Sequence, residues 1–162
     1  MKRILALIAV FVTFMVWNPE SRANLGQTIE EFKTDHPDAT LQRTNQFDNR
    51  ATLYVFKDAT WEYDVLTLDK LSAAEYFSRT NDAVLDEEFI MAKIHEYAEV
   101  WEPADSGLPD AYAAESVDGR FFAVLGHSDA VGKDNVLAIL TREWRDYCKQ
   151  KMDALRNSKL KI

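Results

Sequence analysis

The chain has 162 residues, 47% of them apolar and 12% aromatic, and a formal net charge of −8. An acidic balance of this size argues against nucleic acid and anionic membrane surfaces as partners, because both are bound through Lys and Arg neutralising phosphate. The length suits one domain with its own core, and the aromatic content argues against disorder over most of it.

Met1-Lys2-Arg3 is a short basic start, and residues 4–17 (ILALIAVFVTFMVW) form an apolar run of 14 without a charge. Asn18, Pro19 and Glu20 break the run, and Ser21-Arg22-Ala23 places small residues at the −3 and −1 positions of a cut after Ala23. That order is the secretory signal pattern. As a helix the run reaches about 21 Å, short of the ~30 Å hydrocarbon core. We therefore expect a signal peptide over residues 1–23 and a single domain over residues 24–162, exported to the periplasm or secreted, with an uncleaved anchor as the alternative. The leader carries Lys2, Arg3 and Arg22 against Glu20, so the chain without it has a net charge of −10. Cys148 is the only cysteine, which excludes an internal disulfide. It is expected either on the apolar side of a helix or as the link of a disulfide-joined dimer.

Residues 28–36 (TIEEFKTDH) predict a short helix, with Thr28 and Glu31 in capping-box spacing and Ile29 and Phe32 as its apolar face. Pro37 ends it. Strands are expected over 39–44 and 51–57. Across 61–68, Trp61, Tyr63, Val65 and Thr67 alternate with Glu62, Asp64, Leu66 and Leu68, the pattern of a half-buried strand. Asp69-Lys70 is a turn candidate, and 73–79 returns as a further strand of an antiparallel meander.

Residues 86–100 predict the central helix, with Asp86 as N-cap, acids in its first turn, and Phe89, Ile90, Ile94, Tyr97 and Ala98 as its apolar stripe. Residues 102–110 (EPADSGLPD) read as a loop. Strands over 112–117 and 120–125 flank Asp118-Gly119, a hairpin signal. Residues 126–134 (GHSDAVGKD) read as a loop and 135–140 (NVLAIL) as a strand. A last helix is expected from Thr141 to about residue 156, with Trp144, Tyr147, Cys148, Met152 and Leu155 on or near its buried side, and residues 157–162 are expected to fray. The fold class is therefore α+β: an antiparallel sheet packed by two to three helices, chiefly the central and C-terminal ones. Two blocks, 25–79 and 86–140, each begin with a helix and continue into strands, which suggests a degenerate repeat.

The opening Leu25-Gly26-Gln27-Thr28-Ile29-Glu30-Glu31-Phe32, the Tyr54, Phe56 and Lys57 strand, the acidic helix start, the Asp118-Gly119 turn and the closing Leu137 to Glu143 together resemble small uncharacterised exported bacterial proteins. The helix-then-strands half is similar to that of β-lactamase-inhibitor-protein-like and outer-membrane assembly lipoprotein folds. This chain departs from the lipoproteins in having no Cys after its leader. The resemblance implies a non-catalytic envelope or secreted module and assigns no functional residue.

Two constellations carry chemistry in principle. Gly126-His127-Ser128-Asp129 sets three triad residue types side by side, and a small periplasmic hydrolase using His127 is one alternative function. His95-Glu96 with Glu99 resembles a metal helix lacking its second His. The three histidines, His36, His95 and His127, have no paired spacing, and no metal or cofactor is expected. Trp61, Tyr63 and Trp101 are the candidate binding residues, as aromatic anchors for another envelope or secreted protein. A non-enzymatic binding or envelope-associated module is the leading expectation.

Overall fold

A computed structural model of the chain describes residues 25–128 and 132–159. The expected leader, Ala23 and Asp129 lie outside them. The elements in chain order are α1 (Ile29–Asp35), β1 (Thr40–Gln46), β2 (Ala51–Lys57), β3 (Trp61–Leu68), β4 (Leu71–Arg79), α2 (Glu87–His95), β5 (Trp101–Ala104), β6 (Tyr112–Ser116), β7 (Phe121–Ser128), β8 (Lys133–Thr141) and α3 (Arg142–Lys159). The fold is α+β, with the eight strands in one antiparallel sheet of order β1-β2-β3-β4-β8-β7-β6-β5. Each block of the sequence makes one four-stranded meander. The last strands of the two meanders pair at the centre, from Ala74–Leu140 to Phe77–Leu137.

The local signals explain most of these elements. Thr28 accepts a hydrogen bond from the Glu31 N–H and Glu31 returns one from the Thr28 N–H at 2.8 Å, so the capping box forms. Asp86 caps α2 by accepting from the Phe89 N–H at 2.8 Å, and Thr141 accepts from the Trp144 N–H at 3.2 Å at the start of α3. Asp69 and Lys70 join β3 to β4 with φ of 52° and 74°, a two-residue turn of the kind that matches sheet twist. Between β6 and β7 only Gly119 takes a positive φ, and its N–H bonds the Ser116 carbonyl, so that connection is a wider turn than a two-residue hairpin.

Residues opposite one another in a ladder share a face, which sorts the sheet into two layers. The near face carries Phe56, Tyr63, Val65, Phe77, Leu137 and Ile139. It is covered by α1 through Ile29 and Phe32 and by α2 through Phe89, Ile94 and the following Tyr97. The far face carries Leu53, Val55, Leu66, Ala74 and Leu140, covered at one end by Trp144, Tyr147 and Cys148 of α3.

Four expectations are corrected. The central helix ends at His95, not Val100, because Trp101 folds back and its indole N–H donates to the Ala98 and Ile94 carbonyls at 2.9 and 3.2 Å. Residues 101–104, read mostly as loop because of Pro103, form edge strand β5. A proline is tolerated there because an edge strand leaves N–H groups unpaired. The ends of the 126–134 loop belong to β7 and β8, where Gly126 pairs with Val136 and Ser128 with Lys133. Met152 and Leu155 are exposed. Tyr147 and Lys151 both anchor on Asp48 in the β1–β2 turn, and residues 152–157 beyond that anchor are exposed.

Trp144 is the chief buried α3 residue on the far face, so Trp144→Ala should cost about 3–5 kcal/mol, the range for large-to-small core changes. Denaturant unfolding checks this; a loss under about 1 kcal/mol would mean that α3 is not held by this contact.

Candidate functional site

Asp64 on β3 lies opposite Tyr76 on β4, Tyr76 opposite Ala138 on β8, and Ala138 opposite Val124 on β7. The four therefore form one row across the far face. Tyr76, Ala138 and Val124, together with Val136 and Leu140, line a cavity of about 400 Å³. Leu108 and Pro109 of the 105–111 loop complete it, with His127 and Ser128 also contributing. Gly126 makes the loop's seat possible: a Cβ there would stand 3.0 Å from the Ala111 Cβ and 3.3 Å from its Cα. A second, more polar cavity of about 520 Å³ lies between α3 and the β3–β4 turn, lined among others by Arg50, Asp69, Glu143, Asp146 and Tyr147. There Arg50 is committed to Asp69 at 2.7 Å.

The far face holds charge where its alternation looked solvent-facing. Glu62 and Asp64 are buried, as is Ser78 opposite Glu62. Glu62 is paired with Lys57 and, at 3.3 Å, with Lys133. Asp64 is 1% exposed and neither carboxylate oxygen has a hydrogen-bond donor. Burial first, and then the Glu62 charge, push its carboxyl up to about 7, against the pull of Arg43, Lys133 and Lys57. On the near face Glu75 is also 1% exposed. One oxygen accepts the Tyr97 hydroxyl at 2.7 Å and the other has no partner. Burial pushes this carboxyl to about 7 as well, partly offset by the Tyr97 hydrogen bond and by Lys93. Sequence reading missed both acids as buried groups. The available signal was that Leu66 and Leu68 continue the same alternate positions as Glu62 and Asp64, which marks a covered face.

The expected binding aromatics are half-buried in the near-face packing. Trp61 stacks on Phe89 at 4.2 Å and carries the Arg79 guanidinium 3.8 Å above its ring. Tyr63 meets Phe32 and Phe77 edge-on and donates to Asp58 at 3.0 Å. Trp101 closes the end of α2. The structure brings Trp61 and Tyr63 onto one strand face and leaves Trp101 on the opposite edge strand.

His127 is exposed, and its Nδ1 lies 2.8 Å from an Asp134 oxygen across the β7–β8 connection. Ser128 adjoins it in the chain. His36 packs instead between the rings of Phe32 and Tyr63, and burial lowers its pKa. His95 ends α2. Among the described residues no group of three or more His, Cys, Asp or Glu is placed to hold a metal, and no helix is long and apolar enough to cross a membrane. Cys148 is half-buried against the α3 cluster, and burial raises its thiol pKa, which disfavours the reactive thiolate.

Neither a family model nor a curated protein matches the chain. Among solved structures, a cysteine-rich secretory protein from Staphylococcus aureus subsp. aureus Mu50 aligns with a TM-score of 0.46 at 17% identity, over 75% of this chain and 46% of that one. The chain thus spans under half the length of that protein. The likeness to β-lactamase-inhibitor-protein-like and lipoprotein modules finds no support in these matches.

The two buried acids make stability depend on pH. Their folded values lie above those of free carboxyls, near 4. The folded state therefore favours the protonated forms, and this stabilisation is complete below about pH 4 and is lost as pH climbs through 7. The melting temperature should fall by on the order of 5 °C between pH 5.5 and 8.5. Glu75→Gln, which keeps an oxygen for the Tyr97 hydroxyl, should remove part of that fall. A flat profile in the unsubstituted chain would contradict the burial of both acids.

Proposed function

We propose that this chain is an exported, non-enzymatic module that binds another envelope or secreted protein. The observation that carries the reading is β1. It ends the sheet, and all seven of its residues are exposed. An edge strand presents unpaired backbone N–H and C=O groups, which an extended partner segment can complete as a ninth strand. The two edges of this sheet differ in how well they resist that. Edge strand β5 is four residues long and contains Pro103. Edge strand β1 is seven residues long, lacks proline and acids, and is irregular only between Leu41 and Arg43, which leaves Arg43–Gln46 in regular register with β2. Exposed Leu41 and Phe47 lie within and beside it and offer apolar contacts to the same partner.

A second reading is a small hydrolase at His127. It draws on the His127–Asp134 contact beside Ser128, an imidazole oriented by a carboxylate next to a hydroxyl. His127 and Asp134 are both exposed, so water screens their contact, and we rank this second. A disulfide-joined dimer is a weaker third reading, since Cys148 packs half-buried against the far face.

A photo-crosslinker at Thr44 should capture a discrete envelope or secreted protein, whereas the same group at Glu102 on β5 should not. Thr44→Pro should cut capture about tenfold by disrupting the strand edge, with little change in melting temperature. Equal capture at both edges, or turnover of an ester or amide substrate that His127→Ala abolishes, would replace this reading.

A further inference from the structure

We propose that the far-face cavity is a binding site for a neutral amphiphile, an alkyl or aryl alcohol or ketone whose apolar body lies on Val124, Val136, Ala138 and Leu140 and whose oxygen lies at the Ser128 end. This goes beyond the protein-binding reading and stands apart from it, since β1 and the cavity are different surfaces.

Three observations converge. The first is shape. The cavity measures about 400 Å³, with the sheet as one wall and Leu108 and Pro109 of the 105–111 loop as the other. That size falls in the range of small-ligand sites. On the sheet wall Val136 and Ala138 are 1% and 8% exposed, so a ligand there rests on core residues and not on a mobile rim. The second is the seat of the loop. A Cβ at Gly126 would meet Ala111 at 3.0 Å, so the outer wall stands where it does because β7 has no side chain at that point. The third is the change of character along the strands. From Leu140 to Val136 the β8 side of the lining is aliphatic over four residues, about 13 Å at ~3.3 Å per residue. Val124 continues it on β7, opposite Ala138. His127 and Ser128 then line the cavity where β7 ends. The site is apolar along its body and polar at one end.

The chemistry selects a neutral head group. Among the described residues the lining holds no Asp, Glu, Lys or Arg. A charged head drawn into it leaves water without a counter-charge, which costs more than the apolar contacts of a small ligand return. A carboxylate that stays at the polar end meets Asp134, which lies 2.8 Å from the His127 Nδ1. A hydroxyl or carbonyl needs only one or two hydrogen bonds, and the Ser128 hydroxyl can both donate and accept.

Titration of the isotope-labelled full chain with octanol, octylamine and octanoate, followed by methyl chemical shifts, tests this directly. Octanol should move the methyl signals of Val124, Val136, Ala138 and Leu140, and bind at least about tenfold more tightly than either charged analogue. Leu108→Asp sets a charge against the ligand from a half-exposed loop position, so it should leave the melting temperature unchanged and weaken octanol about tenfold. Gly126→Ala pushes on Ala111 of the same loop from the sheet side and should weaken octanol severalfold, which provides a second reading if Leu108→Asp folds poorly. Absence of octanol binding, shifts confined to residues away from the cavity, equal affinity for a charged analogue, or full octanol affinity in a folded variant would overturn the proposal.

Discussion

Four residue pairs between β4 and β8 hold the two halves of this molecule together, from Ala74–Leu140 to Phe77–Leu137. Each half alone is a four-stranded meander whose last strand would be an open edge. Joining the two last strands turns them into the most protected strands of the sheet and moves the open edges out to β1 and β5. The buried consequences follow from that position. Phe77, Leu137 and Ile139 fill the near-face core, and Glu75, between Ala74 and Tyr76 on the same central strand, has nowhere to reach water. Its one hydrogen bond comes from Tyr97 just beyond α2, so the acid that the central pairing buries is also a tie between sheet and helix.

The two faces are finished differently. Two helices, α1 and α2, cover the near face, and their aromatic contacts run continuously from Phe32 through Tyr63 and Phe77 to Phe89. On the far face α3 lies over Leu53, Leu66 and Ala74, and Asp48 in the β1–β2 turn then receives both Tyr147 and Lys151. That anchor fixes the course of α3 and leaves the row from Tyr76 to Val124 to be closed from the opposite side by the 105–111 loop. The missing side chain at Gly126 lets Ala111 of that loop come down onto β7. The cavity lies between that seated loop and strands β4, β7 and β8.

Much of this was legible in the sequence. Residues 51–57 and 61–68 were read with the bounds they have, because β-prone alternation and polar turns mark both ends. The capping residues Thr28, Asp86 and Thr141 all perform their expected hydrogen bonds. What was not legible depends on tertiary placement. Pro103 reads locally as a breaker, and only its edge position lets residues 101–104 pair with β6. Met152 and Leu155 continue the helical stripe, yet both stand exposed. Trp101 looks like a free aromatic anchor until its indole is seen to occupy the last carbonyls of α2. The cavity was out of reach for the same reason: its lining comes from β4, β7, β8 and a loop, separated by tens of residues.

Glu62 and Asp64 show how placement decides the character of an acid. They stand two residues apart on one strand, on one face, and both are buried. Lys57 on β2 and Lys133 at the start of β8 converge on Glu62, so its charge is compensated by strands from both halves of the sheet. One row further in, the cross-strand neighbours of Asp64 are Val55 and Tyr76, and neither offers a compensating cation. Leaving a carboxylate in that position costs stability that an apolar residue would not. The fold tolerates this because protonation is available near neutral pH, which discharges the group without moving it. Arg43, in the same row beyond Val55, and the two lysines that serve Glu62 offset part of that cost from a distance, without an ion pair to Asp64 itself.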